Sequence, residues 1–174
     1  MSFVLTLKFD DETFATLDDL RREHFPPERN FVSAHSTLFH ALPDDEQDFI
    51  EETLTEIALK TGVLELHFPN LLFLGKGTAI ELICPRLVQL RGQLSNYWRD
   101  FLGEQDSRKI KLHVTIQNKV EPETAKQTFA ELSETFKPFD GRGEGVLFWR
   151  YLQTGRWEFV QEFLFVRKPT NDNV

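Results

Sequence analysis

His35-Ser36-Thr37-Leu38 and His113-Val114-Thr115-Ile116 are two copies of one phrase, His-x-Thr-aliphatic, with the histidines 78 positions apart. Each copy sits in a stretch that reads as a β-strand, about Ser33 to Leu42 and about Ile110 to Asn118. Side chains two apart in a strand share a face. His35 and Thr37 therefore project together, as do His113 and Thr115, while Leu38 and Ile116 point to the other side. The aliphatic side suits a helix-covered face, and the His/Thr side suits an open one.

The surrounding pattern repeats as well. Ser2 to Phe9 alternates as a strand, and Asp11 to His24 reads as a helix that stops before Pro26-Pro27. After the first phrase, Pro43-Asp44-Asp45-Glu46 opens a helix with acidic residues where its dipole favours them. Val63 to Leu74 and Thr78 to Ile83 follow as a hairpin around Gly75-Lys76-Gly77. Pro85 starts a helix through about Phe101, and the second phrase is followed by a helix from Glu121-Pro122 to about Phe136. A loop holding Gly141, Gly143 and Gly145 then leads to two aromatic strands, Val146 to Gln153 and Trp157 to Val166. The halves correspond. The expected fold is α+β, one domain over residues 1–174 with two pseudo-symmetric lobes, about 1–84 and 85–174. Each lobe is an antiparallel sheet with helices on its outer face, the lobes flank a central groove, and elements are open to exchange between them.

Composition narrows the function classes. At 40% hydrophobic and 28% charged residues the chain reads as globular, with disorder expected only in the polar tail Lys168 to Val174. A net charge of −8 argues against broad binding to nucleic acid, which relies on basic surface, and favours a chain end or small fragment as ligand. The single cysteine, Cys84, excludes an internal disulfide and a cysteine-rich metal site. Charged residues reach the N-terminal stretch too early for a signal peptide, and no apolar run nears the roughly 18 residues of a membrane span. A cytoplasmic monomer with no membrane partner is expected.

Two lobes that face each other bring two imidazoles and two hydroxyls to a space the size of a phosphate. One neutral imidazole can take a proton from water or a hydroxyl, and one protonated imidazole can give a proton to a leaving oxygen. Threonine hydroxyls can hold non-bridging oxygens. This chemistry requires no metal and no cofactor.

The doublet resembles the signature of the 2H phosphoesterase superfamily, specifically its 2'-5' RNA ligase-like and cyclic-phosphodiesterase branch. The resemblance covers nearly the whole chain in order of elements. It implies an enzyme that opens 2',3'-cyclic phosphates, or makes and breaks 2'-5' links, at an RNA end or on a small nucleotide. It also implies His35 and His113 as the acid/base pair, with Thr37 and Thr115 as phosphate ligands. A binding module using the same groove without turnover is the competing reading, and a protein in which both phrases merely pack is the third.

Other residues carry less. Phe39 shares the face of His35 and Thr37 if the strand is regular, and could stack on a base. Tyr151 is a further residue that could reach the groove, whereas core packing is the reading for most aromatics of the last two strands. In a regular strand His40 faces away from His35, as a core or rim residue. His24 and His67 read as structural or surface groups.

Overall fold

Alternation makes Ser2–Phe9 the first strand, β1, and buries Phe3, Leu5, Leu7 and Phe9 on one face. The computed structural model describes residues 1–166, so the tail from Lys168 to Val174 lies outside the described residues. Helix α1 follows at Asp11–His24, with Asp11 and Glu12 in its first turn and Arg21, Arg22 and His24 in its last, as the helix dipole favours. It stops because Phe25 precedes Pro26 and is held in the extended region.

The first sheet pairs β1 antiparallel with β2 (Thr37–Pro43) on one edge and with β7 (Phe139–Tyr151) on the other. The far edge of β7 carries two strands end to end. β3 (Leu64–Phe68) lies opposite residues 139–143, and β8 (Trp157–Leu164) lies opposite residues 145–151. The second sheet is β4 (Leu71–Phe73), β5 (Thr78–Glu81) and β6 (His113–Gln117), all antiparallel. A bridge between His67 and Ile83 links the sheets.

These sheets do not follow the halves of the chain. The strand of the first motif shares a sheet with β7 and β8 from the C-terminal half, and β6, which carries the second motif, pairs with β5 from the N-terminal half. Helices α2 (Gln47–Lys60), α3 (Pro85–Tyr97), the short α4 (Glu104–Ser107) and α5 (Pro122–Thr135) complete the fold. Leu38, Ile50, Leu54, Leu94, Trp98 and Val114 belong to one continuous buried cluster. Among the described residues no helix is long and apolar enough to cross a membrane.

Two expectations from the sequence need correcting. Gly141, Gly143 and Gly145 lie inside β7 rather than in a loop. Their use is close approach: a Cβ at Gly141 would collide with Thr13 of α1, and one at Gly145 with the backbone of Phe163 in β8. The first motif strand also begins later than its apolar pattern suggests. His35 and Ser36 are extended chain just ahead of β2, tied to the sheet by a hydrogen bond from the Leu7 amide to the Ser36 carbonyl.

Candidate active site

β2 does not run straight beside β1. Thr6 is opposite Thr37, Leu5 is opposite Phe39 and Phe3 is opposite Leu42, so the strand bulges at Leu38 and again at His40-Ala41. The first bulge reverses the alternation. Thr37 stays on the open face with Thr6, while Phe39 turns inward beside Leu5. Phe39 is 0% exposed, with its ring against Trp98 and the Arg91 guanidinium above it. It is a core residue and not a groove residue, against the expectation for a regular strand. Tyr151, exposed at the end of β7, lies opposite Trp157 in the ladder and does not line the cavity described below.

Both motif histidines are held in the same way. The Nδ1 of His35 is 2.7 Å from the carbonyl of Ser33, and that of His113 is 2.8 Å from the carbonyl of Lys111. A carbonyl only accepts, so each Nδ1 carries the hydrogen and donates it. Each Nε2 is then left to act as a base when the ring is neutral and as an acid when it is protonated. Thr37 and Thr115 are both partly buried, two residues beyond their histidines, and the residue between is fully buried in each case.

Helix α1 secures both motifs from one side. Asp18 accepts a 2.8 Å hydrogen bond from the Ala34 amide, next to His35. One turn on, Arg21 donates to the Thr115 carbonyl at 2.7 Å and to the Asn30 side chain at 2.8 Å, and its guanidinium lies over Phe25 at 4.0 Å. Arg21 is buried, which lowers its pKa to about 10 against the opposing effect of Asp18, so it remains a cation near neutrality.

The two histidines differ in surroundings. His113 is exposed, whereas His35 is partly buried, its ring 4.7 Å from that of Trp157. Burial lowers the His35 imidazole from 6.5 to about 4; the Ser33 carbonyl opposes this, and the charges of Arg21, His113 and His40 add to it. The effect of His113 on His35 places both rings in one electrostatic neighbourhood. At neutral pH His35 is an uncharged imidazole, suited to accept a proton.

This depression has a consequence for stability. Between about pH 6.5 and pH 4 the unfolded chain binds the His35 proton and the native chain does not. Stability therefore falls as the pH is lowered through that window. His35→Gln cannot take the proton, so a plot of its unfolding free energy against pH should be flatter there than that of the wild type. Denaturant titrations at several pH values test this, and equal slopes would overturn it.

Beside His35 opens a cavity of about 350 Å³, walled by Thr6, Lys8, Phe14, Phe31, Trp149 and Trp157. Trp149 donates its indole hydrogen to the Thr6 hydroxyl at 2.9 Å, which fixes one wall. Among the described residues no three His, Cys, Asp or Glu side chains are grouped to hold a metal ion.

The sequence profile of the 2'-5' RNA ligase superfamily matches residues 9–155, a span that includes both motifs and the strands that present them. The chain belongs to this superfamily of 2H phosphoesterases. No curated protein sequence matches it. Solved structures with the same fold include TT0787 of Thermus thermophilus, with a TM-score of 0.69 at 14% identity over 95% of this chain and 98% of that one. E. coli LigT complexed with 3'-AMP gives 0.62 at 16% identity, with the same coverage of 95% and 98%. A structure described as a phosphoesterase gives 0.62 at 16% identity, again covering 95% and 98%. At such identities the likeness establishes architecture alone.

In this superfamily member, sequence reasoning missed four residues near the motifs. Arg21 reads as one more position at helical spacing, although an arginine following Phe14, Leu17 and Leu20 on the apolar stripe is itself a signal. Trp149 and Trp157 read as core aromatics, yet both line the cavity beside His35. Nothing in the local sequence marks Phe31, whose 54% exposure is high for a phenylalanine.

Proposed function

We propose that this chain is a phosphodiesterase that opens 2',3'-cyclic phosphates, or makes and breaks 2'-5' links, at RNA or nucleotide ends. The observation that carries the reading is the matched pair of imidazoles, each with Nδ1 committed to a carbonyl two residues upstream and Nε2 left to react. In hydrolysis, His35 Nε2 takes a proton from water as the water oxygen bonds to phosphorus. The bond from phosphorus to one ribose oxygen breaks, and protonated His113 gives that oxygen its proton. The product is a phosphomonoester beside a free hydroxyl, and the two rings return to their starting states by exchange with solvent. Burial of His35 favours its role as base, and the exposure of His113 leaves it the acid. Thr37 and Thr115 hold the non-bridging oxygens. The aromatic cavity beside His35 supports a nucleobase next to the phosphate, because stacking on such rings contributes about 1–3 kcal/mol per base.

The test is incubation with nucleoside 2',3'-cyclic phosphates, cyclic-phosphate-ended oligonucleotides and 2'-5'-linked dinucleotides, with the product position assigned by phosphorus NMR. Ring opening or 2'-5' cleavage by the wild type, absent from His35→Ala, is the expected result. Binding without product over long incubation would make the groove a binding module instead.

A further inference from the structure

The second bulge of β2 has its own partner. Opposite Val4 the strand carries two residues, His40 and Ala41, and both are exposed. Val4 shares the face of Thr6, so His40 comes onto the same side of the sheet as Thr37. The bulge frees two backbone amides from the ladder, and the buried carboxylate of Asp106 in α4 accepts both, from His40 at 2.8 and 3.0 Å and from Ala41 at 2.8 Å. The same carboxylate lies 3.2 Å from the His40 Nδ1. Beneath it, Arg91 donates to the carbonyls of Asp106 and Leu38, which fixes the loop to the strand. Burial opposes the charge on Asp106, but the hydrogen bonds from the His40 ring and the two amides outweigh it and hold the carboxyl below its usual range.

The outcome is an imidazole with its Nδ1 committed to a fixed anion, its side chain 41% exposed, and its charge felt at His35. With Nδ1 turned to the carboxylate, the ring presents its Nε2 away from Asp106. Thr37 and His40 are separated by about two strand steps once the bulge is counted, or roughly 7 Å. The aromatic cavity lies on the other side of His35, so cavity, His35, Thr37 and His40 form a sequence along one edge of the groove.

We propose that His40, set by Asp106, binds a second phosphate of the substrate, the one on the 5' side of the nucleotide that carries the cyclic phosphate. This rests on the function proposed above and sharpens it: the preferred substrate is an RNA end, with a phosphate on each side of its last ribose, rather than a free nucleoside cyclic phosphate. In a chain of net charge −8, a local hydrogen-bonding group of this kind would give an anionic strand a place to bind.

The test compares a nucleoside 2',3'-cyclic phosphate with its 5'-phosphorylated form and with a dinucleotide ending in the same cyclic phosphate. The wild type should show a KM about tenfold lower for both substrates that carry the extra phosphate, the scale of one charge-assisted hydrogen bond. In His40→Asn the KM ratio should fall towards one, and His40→Lys should restore part of it. The effect of the His40 charge on His35 is common to all three substrates and cancels in the ratio. A wild-type ratio near one, or a ratio unchanged in His40→Asn, would overturn the inference and leave the proposed activity standing. A preference confined to the 5'-monoester would overturn the assignment to an RNA chain. A wild type that turns over none of the three would remove the activity and this inference together.

Discussion

His113→Ala should lower kcat/KM on a cyclic phosphate by about 10²–10⁴-fold, with most of the loss in kcat. The exposed ring makes no packing contribution that the fold depends on, so the variant should unfold at close to the wild-type denaturant concentration. On the proposed mechanism it removes the proton for the leaving ribose oxygen. That oxygen must then depart as an alkoxide or wait for water. His35→Ala should cost a similar factor by leaving the attacking water without its base. The double variant should lose little more than either single one, because both proton transfers belong to one transition state. The pH profile adds a check on the assignment. Wild-type kcat/KM should fall on the acid side as His35 takes up its proton, near pH 4. Unaltered turnover in His113→Ala would sink the acid assignment.

Arg21→Met should be the most damaging substitution away from the reacting groups. Arg21 is 5% exposed, and its guanidinium donates to the Thr115 carbonyl and the Asn30 side chain. Methionine fills much of the volume but leaves both acceptors without their donor, while Asp18 keeps its ion pair with Arg22. The expected loss is about 2–4 kcal/mol of unfolding free energy, read by denaturant titration. Activity should fall as well, because Arg21 fixes the strand of His113 and Thr115 relative to the segment that leads into His35. One sign separates this from simple loosening. The Arg21 charge lowers the His35 pKa, so without it the acid limb of kcat/KM should move to higher pH. A folded variant whose acid limb stays in place would show that Arg21 has no electrostatic part in the site.

Much of this was legible in the sequence, for physical reasons that differ by element. The histidine doublet stands out because the same four-residue phrase occurs twice at strand spacing. The bounds of α1 are legible because terminal charges and Pro26 mark both ends locally. Phe39 and His40 were misread together, since alternation assumes a regular strand and a bulge is decided by the partner strand and by Asp106, 66 residues away. Gly141, Gly143 and Gly145 look like a loop because the reason for them, the approach of α1 and β8, lies elsewhere in the chain. The exchange of strands between halves leaves no local trace, because each strand carries the same pattern whichever neighbour it finds.

The place of β1 also bears on how the protein is made. Ser2 pairs with Tyr151 and Thr6 with Leu147, so β1 leaves the ribosome well before its inner neighbour is made. Until then β1 has only β2 of its two sheet neighbours available, and an isolated two-stranded ribbon is marginal in water and liable to pair with another chain. Contacts of such long sequence separation slow folding. The wall that carries His35 is therefore completed only after the strand that carries His113 has already emerged.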